Sequence, residues 1–552
     1  MTIRDWFKSG SPWIWLTASA VSASLIMVFG ILGLVAVRGM VFFWPSDIQE
    51  IAYQEQDGSQ VRLIGEIWET ERVSAVILRE GGNELPDGND FVERHLLKTG
   101  NRDLYGSDFR LILEPYVRER NTPESLMAVE RREWGNLYGY LLAVKENGRV
   151  VASGENAFAE LEKRLERVLD LHDQSKRIEK KEIGEINYGL ERLRLRERRL
   201  ELDGKLTPER SKALARDRAT LGADYAALQT RLSDLYQQSG RDSFTATVQD
   251  GREVEVPLSK VVRVTLPNAM SVFGKSLRYM AAVWEFVSDE PREANTEGGV
   301  FPAIFGTVLM VMIMAVLVTP LGVVAAVYLR EYARQGPVTR TIRIAVNNLA
   351  GVPSIVYGVF GLGFFVYFLG GSIDQLFYPE ALPAPTFGSP GIMWSSLTLA
   401  LLTLPVVIVA TEEGLSRIPR SVREGSLALG ATKFETLWRT ELPMSSPAIM
   451  TGLILAVARA AGEVAPLMLV GVVKLAPSMP LDLNYPFLHL ERKFMHLGFH
   501  IYDVGFQSPN VEAARPLVYA TALLLVVVIV ALNLVAIAIR NNLRERYRAL
   551  EN

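Results

Sequence analysis

Residues 300–329 read VFPAIFGTVLMVMIMAVLVTPLGVVAAVYL, an uninterrupted run without a charged side chain. At a rise of about 1.5 Å per residue, a helix of this length exceeds the roughly 30 Å hydrocarbon core of a bilayer. The run therefore predicts a membrane-spanning helix. We expect the chain that contains it to be an integral membrane protein.

Five further apolar segments meet the same criterion, so six crossings are predicted in all. They cover residues 13–37, 344–369, 392–410, 448–473 and 516–539. The first segment resembles a signal peptide, but its apolar core exceeds the ~7–15 residues of a secretory h-region and continues to Trp44. We therefore expect it to be retained as an anchor.

Clusters of Lys and Arg between the segments predict the orientation, because such residues accumulate in cytoplasmic loops. With a cytoplasmic N-terminus (residues 1–12), all four clusters fall inside, and the tail 541–552 is cytoplasmic as well. The clusters contain Arg4 and Lys8; Arg330, Arg334, Arg340 and Arg343; Arg417, Arg420, Arg423, Lys433 and Arg439; and Arg540, Arg544, Arg546 and Arg548. The polar stretch 38–298 is then external, that is, periplasmic.

The composition excludes several classes of protein. The 552 residues include no cysteine, so disulfides, thiolate metal sites and cysteine nucleophiles are absent. The net charge is -3, and no basic excess points to nucleic acid as a partner.

The external stretch begins as a module of mixed α and β structure. Three turn pairs, Asp57-Gly58, Asn147-Gly148 and Asp250-Gly251, lie between strand-like runs, as in β-hairpins. The region just before the second apolar segment has apolar residues every three or four positions, namely Met270, Phe273, Leu277, Met280, Trp284 and Val287. This spacing predicts an amphipathic helix at the membrane interface.

Residues 157–238 of this module are dense in charge and carry two heptad series, which predict a long antiparallel helical hairpin of the coiled-coil type. The series are Ile186, Leu193 and Leu200, followed by Leu214, Leu221, Leu228 and Leu235. Gly204 supplies a stop, and Thr207-Pro208 begins the second helix. A rigid spacer and a docking arm for a partner protein both fit this pattern.

The connection 411–443, between the fourth and fifth segments, has a distinctive spacing. Glu424-Gly425-Ser426 is followed by Gly430 and then by Leu442-Pro443. Gly430 suits a break between two short helices, and Thr432 with Glu435 forms the pattern of a capping box. Amphipathic helices lying on lipid are the alternative to a docking loop here.

This spacing resembles the EAA coupling loop of ABC-transporter permeases, written E-A-A-x3-G-x9-I-x-L-P. Gly425 and Ser426 replace its two alanines, and Thr440 replaces its isoleucine. Further stretches narrow the resemblance to the PstA-type permease of the phosphate ABC importer. They are GGVFPAIFGT at 298–307, YLREY at 328–332, AGVPSIVYG at 350–358 and VARAAGEVAPL at 457–467. The resemblance covers the first segment and the chain from about residue 286 onward, but not the long insert.

The resemblance implies a mainly α fold, namely a six-helix type I ABC-importer transmembrane domain, here with an external α+β insert that contains the hairpin. Residues 299–540 would form the five-helix permease core. The implied function is a permease subunit, not an enzyme, that imports inorganic phosphate across the inner membrane by alternating access. The implied partners are a second permease subunit, a dimer of ATP-binding subunits, an external phosphate-binding protein and membrane lipid.

Two sets of site residues are predicted from these features. Coupling to the ATP-binding subunit is assigned to Glu424, Gly430, Phe434, Leu437, Trp438 and Arg439. The translocation pathway is assigned to Arg459 and Glu463, which share one helical face in an apolar segment where charges are costly unless paired or hydrated. A guanidinium suits an oxyanion, but a structural ion pair between neighbouring helices is the open alternative.

Neither a cofactor nor a metal is expected. Gly274-Lys275-Ser276 resembles the end of a P-loop, but position 269, where the leading glycine belongs, is Ala269. His496 and His500 are four residues apart, yet an interfacial or exposed pair is favoured over a metal site.

Two rival functions remain. A permease for another oxyanion, such as sulfate or molybdate, would keep the coupling loop and change the pathway. A membrane-anchored sensor would use the insert as its receiver, but it leaves the five clustered C-terminal segments unexplained.

Overall fold

The structure, a computed structural model, describes residues 9–82, 85, 90–508 and 511–548. The chain divides into two compact units, Phe43–Glu285 and the remainder, Met1–Phe42 with Phe286–Asn552. Arg4 and Lys8, on which part of the predicted orientation rests, lie outside the described residues, as do the side chains of Arg546 and Arg548.

Six helices of the described residues are long and apolar enough to span a membrane, which is the number that the sequence predicts. We name them helix 1 to helix 6. They cover Pro12–Val41, Phe301–Tyr332, Ser354–Phe377, Ile392–Ser416, Lys433–Gly462 and Ala514–Glu545. Shorter helices between them cover Pro337–Leu349, Arg420–Ala428, Leu467–Val470 and Leu497–Tyr502.

Two helices lie elsewhere than predicted. Helix 3 begins at Ser354 rather than at 344, because Pro353 ends the preceding helix and starts the next one. Helix 5 covers Lys433–Gly462 rather than 448–473. Its first turns are polar, and the apolar stretch after Gly462 forms a loop and one short helix instead of continuing the span.

Helix 4 is the most buried of the six and packs between helix 2 and helix 5. Close approach depends on small residues: a Cβ on Gly322 would lie 2.5 Å from the Val407 side chain, and one on Gly452 would lie 2.5 Å from Ala410. The buried Ser396 hydroxyl donates to the Met310 carbonyl at 3.2 Å. The apolar window of helix 1 is wholly unburied, which requires a lipid environment.

The unit Phe43–Glu285 contains two antiparallel sheets. The first has the order β4-β3-β2-β1-β5, and the second has the order β10-β9-β7-β6-β11 with β8 beside β7. The strands β1 to β11 are Ile48–Gln54, Gln60–Ser74, Phe91–Lys98, Phe109–Leu113, Val117–Asn121, Leu126–Arg131, Leu137–Glu146, Arg149–Ser153, Asp242–Thr247, Glu253–Pro257 and Val261–Thr265. All three predicted turns join paired strands: β1 with β2, β7 with β8, and β9 with β10.

Long helices project from the second sheet. The first arm runs as Ala157–Arg177, a π-helical turn Ile178–Glu182 and Ile183–Leu202, and the second arm is Pro208–Ser239. The arms are antiparallel, since Arg218 of the second pairs with Glu197 of the first at 2.6 Å. We name this pair of helices the hairpin.

The base of the hairpin is held by Asp242, the first residue of β9. Its fully buried carboxylate accepts hydrogen bonds from Arg164 at 2.8 Å, Arg167 at 2.9 Å and Arg241 at 3.1 Å. Burial raises the pKa of Asp242, but the hydrogen bonds and charges of the three arginines more than reverse this effect, so the pKa lies below its usual value.

Asp242→Asn is expected to lower the local stability of the insert by about 2–4 kcal/mol, because it removes the buried anion that pairs with three arginines. Partial exposure of the arginines to water limits this loss. Hydrogen exchange of the β9 amides in the full chain measures this loss. In the parent, the contribution is complete above the ordinary Asp pKa and disappears as the pH falls through the lowered value. Asp203→Asn, at the exposed Lys205 pair, is the matched control and should change stability by less than about 1 kcal/mol. Equal effects of the two changes would contradict the assignment.

Candidate functional site

The connection between helix 4 and helix 5 forms a helix, Arg420–Ala428, and a turn at Gly430. We name Arg420–Ala428 the coupling helix. Gly430 has φ +90° and open space where a Cβ would lie, so the backbone conformation rather than crowding favours glycine.

The predicted capping box follows directly. Thr432 Oγ1 accepts from the Glu435 amide at 3.2 Å, and Glu435 Oε2 accepts from the Thr432 amide at 2.9 Å. It begins helix 5 itself. The prediction of a second, separate short helix was therefore wrong: this segment is the first turn of helix 5, so it is covalently continuous with the membrane span.

Two aromatic side chains are exposed on this first part of helix 5. Phe434 and Trp438 are 64% and 65% exposed, and their rings stack with centroids 6.3 Å apart and planes 11° from parallel. Lys433 and Arg439 are exposed beside them. We name Phe434 and Trp438 the aromatic patch. A paired, exposed apolar surface with a charged rim is typical of a protein interface.

Leu437 does not belong to this surface. The sequence predicted it as a contact residue together with its aromatic neighbours, but its side chain is only 5% exposed. Residues four apart share a helical face, as Phe434 and Trp438 do, whereas Leu437 points toward the protein interior. Glu424 is exposed on the coupling helix, and its contact with an ATP-binding subunit stays a prediction.

A partly buried ion bridge, which the sequence analysis missed, connects the coupling helix to two spans. Arg423 donates to Glu441 of helix 5 at 2.6 and 3.0 Å and to Glu331, at the end of helix 2, at 2.9 Å. Burial lowers the pKa of Arg423, but the hydrogen bonds and charges of these two carboxylates outweigh it and raise the pKa. Sequence separation hid the bridge, since Glu331 is 92 residues away.

Arg423→Ala is expected to cost about 1–3 kcal/mol of stability, because it leaves the buried Glu441 carboxylate without its bidentate partner. Unfolding of the purified chain in mixed micelles measures the loss. Arg417→Ala removes a comparable charge from an exposed pair with Glu413 and should cost less than about 1 kcal/mol. An Arg423→Ala protein as stable as Arg417→Ala would show that the bridge does not hold the coupling helix.

The predicted pathway pair lies at the other end of helix 5. Arg459 is in the last turn, and Glu463 is the first residue beyond the helix, which ends at Gly462. The prediction that one continuous helix contains both residues was therefore wrong. The ion pair nevertheless forms, with 3.6 Å between Arg459 Nε and Glu463 Oε1. Both side chains are partly exposed, so the pair is not sealed in the core.

Helix 3 packs against the segment that follows helix 5. The Arg459 charge acts on the Tyr357 phenol, whose hydroxyl donates to the Leu349 carbonyl at 2.6 Å. A Cβ on Gly358 would lie 2.7 Å from the Pro466 Cα. The structure thus brings together the stretches 350–358 and 457–467, on which the resemblance to PstA-type permeases partly rests.

His496 and His500 are both buried, which corrects the expectation of an interfacial or exposed pair. Burial lowers the pKa of each to about 4, so both are neutral at neutral pH. Among the described residues, no group of three or more histidines and carboxylates is arranged to hold a metal ion.

Comparisons with known proteins agree with the resemblance. Residues 318–549 match the family described as "Binding-protein-dependent transport system inner membrane component". The "Phosphate transport system permease protein PstA 1" of Mycobacterium tuberculosis (strain CDC 1551 / Oshkosh) is 36% identical over 247 residues, which are 44% of this chain and 71% of that protein. The PstA protein of Yersinia pestis is 36% identical over 183 residues, 33% of this chain and 56% of its own length.

Among solved structures, a chain of the MetNI methionine ABC transporter is similar to 44% of this chain over 94% of its own length, at 17% identity and a TM-score of 0.32. A likeness of this size carries no argument, so the assignment rests on the sequence relatives. The phosphate permease of M. tuberculosis is matched over more than two-thirds of its length at well above 30% identity. The chain therefore belongs to the family of PstA-type phosphate transport system permease proteins.

Proposed function

We propose that this chain is the permease subunit of an ATP-driven importer that carries inorganic phosphate across the inner membrane by alternating access. One structural observation supports the mechanism. The aromatic patch and the Arg459–Glu463 pair lie at opposite ends of helix 5. At 1.5 Å per residue, Trp438 and Arg459 are separated by roughly 32 Å along the axis, about one hydrocarbon core.

The aromatic patch is the contact for a separate ATP-binding subunit, with Glu424 and Arg439 at its rim. Because the patch is part of helix 5, displacement of the patch moves the span directly. The Arg423 bridge connects helix 2 to helix 5 through Glu331, so that the two helices move together. Closure of an ATP-binding dimer would then rock helices 2 and 5 as a rigid group.

The Arg459–Glu463 pair is the phosphate-responsive element of the pathway. At 3.6 Å from Nε to Oε1, the two groups form a loose ion pair rather than a short bidentate one. A phosphate dianion offers the guanidinium a better bidentate acceptor, so the anion competes with Glu463 for Arg459. Glu463 lies in extended backbone after the helix, where the carboxylate can withdraw without unwinding helix 5.

The remaining assignments complete the importer. A second permease subunit closes the pathway, two ATP-binding subunits provide the work, and an external phosphate-binding protein delivers the anion. Both termini are cytoplasmic, and the insert 38–298 lies outside the membrane, with the hairpin as a brace or a docking arm.

Uptake of labelled phosphate into vesicles containing the assembled complex tests this function. We expect ATP-dependent uptake that unlabelled phosphate suppresses and that sulfate and molybdate leave unchanged. Suppression by sulfate or molybdate at equal concentration would instead assign the pathway to another oxyanion. No ATP-dependent uptake of any of the three, in a complex that retains its ATP-binding subunit, would contradict the importer assignment. The same assay on a complex that lacks residues 51–264 separates a bracing insert, which leaves uptake intact, from an essential one.

A further inference from the structure

The helix Val272–Ser288 carries an exposed apolar stripe that the proposed transport function does not use. Phe273, Leu277, Met280 and Trp284 are all exposed, with Phe273 at 74% and Trp284 at 71%. At about 100° per residue, these four positions fall within roughly 60° of one another around the helix. An exposed apolar stripe of this kind is typical of a surface that contacts lipid or another protein.

The opposite side of the same helix is packed against its own unit. The Tyr279 ring contacts Phe43 at a centroid distance of 6.4 Å and Trp44 at 6.0 Å. Lys275 forms an ion pair with Asp47. These partners are residues that follow helix 1, which ends at Val41. The helix is therefore held against the residues that directly follow the first membrane span in the chain.

This position identifies what covers the stripe. Tryptophan and tyrosine accumulate where the hydrocarbon meets the headgroups, and Trp44, three residues after the end of helix 1, packs against Tyr279. A helix that exposes apolar side chains along its whole length at that depth lies flat, with the stripe toward the acyl chains.

The charges near the stripe indicate the kind of lipid contact. Arg278 donates to Glu285 at 2.8 and 2.9 Å, and Arg263 donates to the same carboxylate at 2.7 Å. Together with the Lys275–Asp47 pair, the neighbouring cations already have acidic partners within the protein. The contact is thus apolar and does not depend on anionic headgroups.

We propose that Val272–Ser288 is an interfacial anchor: its stripe of Phe273, Leu277, Met280 and Trp284 inserts into the outer edge of the acyl-chain region and holds the base of the insert on the bilayer. This inference does not depend on what the permease transports. It gives the insert a second attachment to the membrane in addition to its covalent connections.

The chain contains no cysteine, so a single introduced cysteine carries the only spin label. Leu277→Cys and Met280→Cys report on the stripe, and Ala226→Cys, on an exposed face of the hairpin, is the aqueous control. The purified full chain is labelled and then placed in phosphatidylcholine nanodiscs. Collision of each label with oxygen, which concentrates in lipid, is compared with collision with a water-soluble nickel chelate.

We expect oxygen to dominate at 277 and 280 and the nickel chelate to dominate at 226, with the same result after phosphatidylglycerol is added. Dominance of the nickel chelate at 277 and 280 would show that the stripe faces water and overturns the anchor. Low collision with both reagents would show that another protein surface covers the stripe, which overturns it equally. A lipid contact that appears only with phosphatidylglycerol would overturn its apolar character.

Discussion

Arg459→Gln is expected to reduce ATP-dependent phosphate uptake by on the order of 100-fold while the complex still assembles. Hydrogen bonds to charged groups contribute about 1.5–3 kcal/mol, and each 1.4 kcal/mol corresponds to a factor of ten. Glutamine keeps a donor but loses the charge and the fork that match phosphate oxygens. Initial uptake rates in vesicles, normalised to the amount of assembled complex, measure the effect.

The double variant Arg459→Gln with Glu463→Gln separates the two roles that the pair offers. If the pair only locks neighbouring helices, removing both charges together relieves the unpaired carboxylate and restores uptake. If Arg459 meets phosphate, the double variant stays as inactive as the single one. Arg417→Gln, which removes a charge from an exposed pair, is the control and should transport at the parental rate. Parental uptake by Arg459→Gln itself would remove the residue from the pathway.

Phe434→Ala with Trp438→Ala is expected to weaken binding of the ATP-binding subunit and to reduce phosphate uptake with it. Buried aromatic side chains at the centre of an interface commonly contribute 2 kcal/mol or more each when truncated. Loss of both should therefore weaken binding of the ATP-binding subunit by on the order of 1000-fold, with phosphate uptake falling in parallel. Titration of the purified ATP-binding subunit onto the reconstituted chain gives the change in Kd.

Trp134→Ala provides the matched control for this variant. Trp134 is an exposed tryptophan of the insert, 47% exposed and far from the aromatic patch in sequence, so its truncation should leave both the Kd and uptake unchanged. Neither substitution removes a residue of the Arg423 bridge, and unfolding in mixed micelles checks that each variant folds. Unchanged binding by the Phe434→Ala, Trp438→Ala protein would mean that the ATP-binding subunit docks elsewhere, and the coupling assignment would fail.

Local patterns predicted local structure well. The Gly430 turn and the Thr432–Glu435 capping box each depend on residues only a few positions apart, and both are present. The β-hairpin turns follow the same logic. Helix 1 and helix 4 were also located closely, because their apolar runs have clear ends.

Hydropathy failed at helix 5, for a physical reason. Its first turns include Arg439 and Glu441, whose charges are tolerated because Arg423 neutralises Glu441 from the coupling helix. A window of mean hydropathy rejects those turns and moves the predicted span toward the apolar loop after Gly462. The helix ends at Gly462, and Pro466 begins the short helix that follows.

The candidate site shows the same division between local and distant information. The aromatic and charged residues of the contact surface could be predicted from the sequence. Phe434, Trp438 and Arg439 are exposed as expected. Which of two neighbouring apolar side chains turns inward was not, because the burial of Leu437 is set by tertiary packing. Glu331 entered the site only through a contact across 92 residues, and no local spacing encodes it.

The hairpin has a mechanical consequence. Its second arm, Pro208–Ser239, has 32 residues and is therefore about 48 Å long. Beyond the base, where arginines bind Asp242, each arm packs chiefly against the other. The hairpin can therefore tilt as a rigid body about a pivot at Asp242. For an arm of about 48 Å, a tilt of about five degrees at this pivot moves the far end near Gly204 by about 4 Å. Such a movement is enough to form or break a hydrogen bond between the tip and a partner.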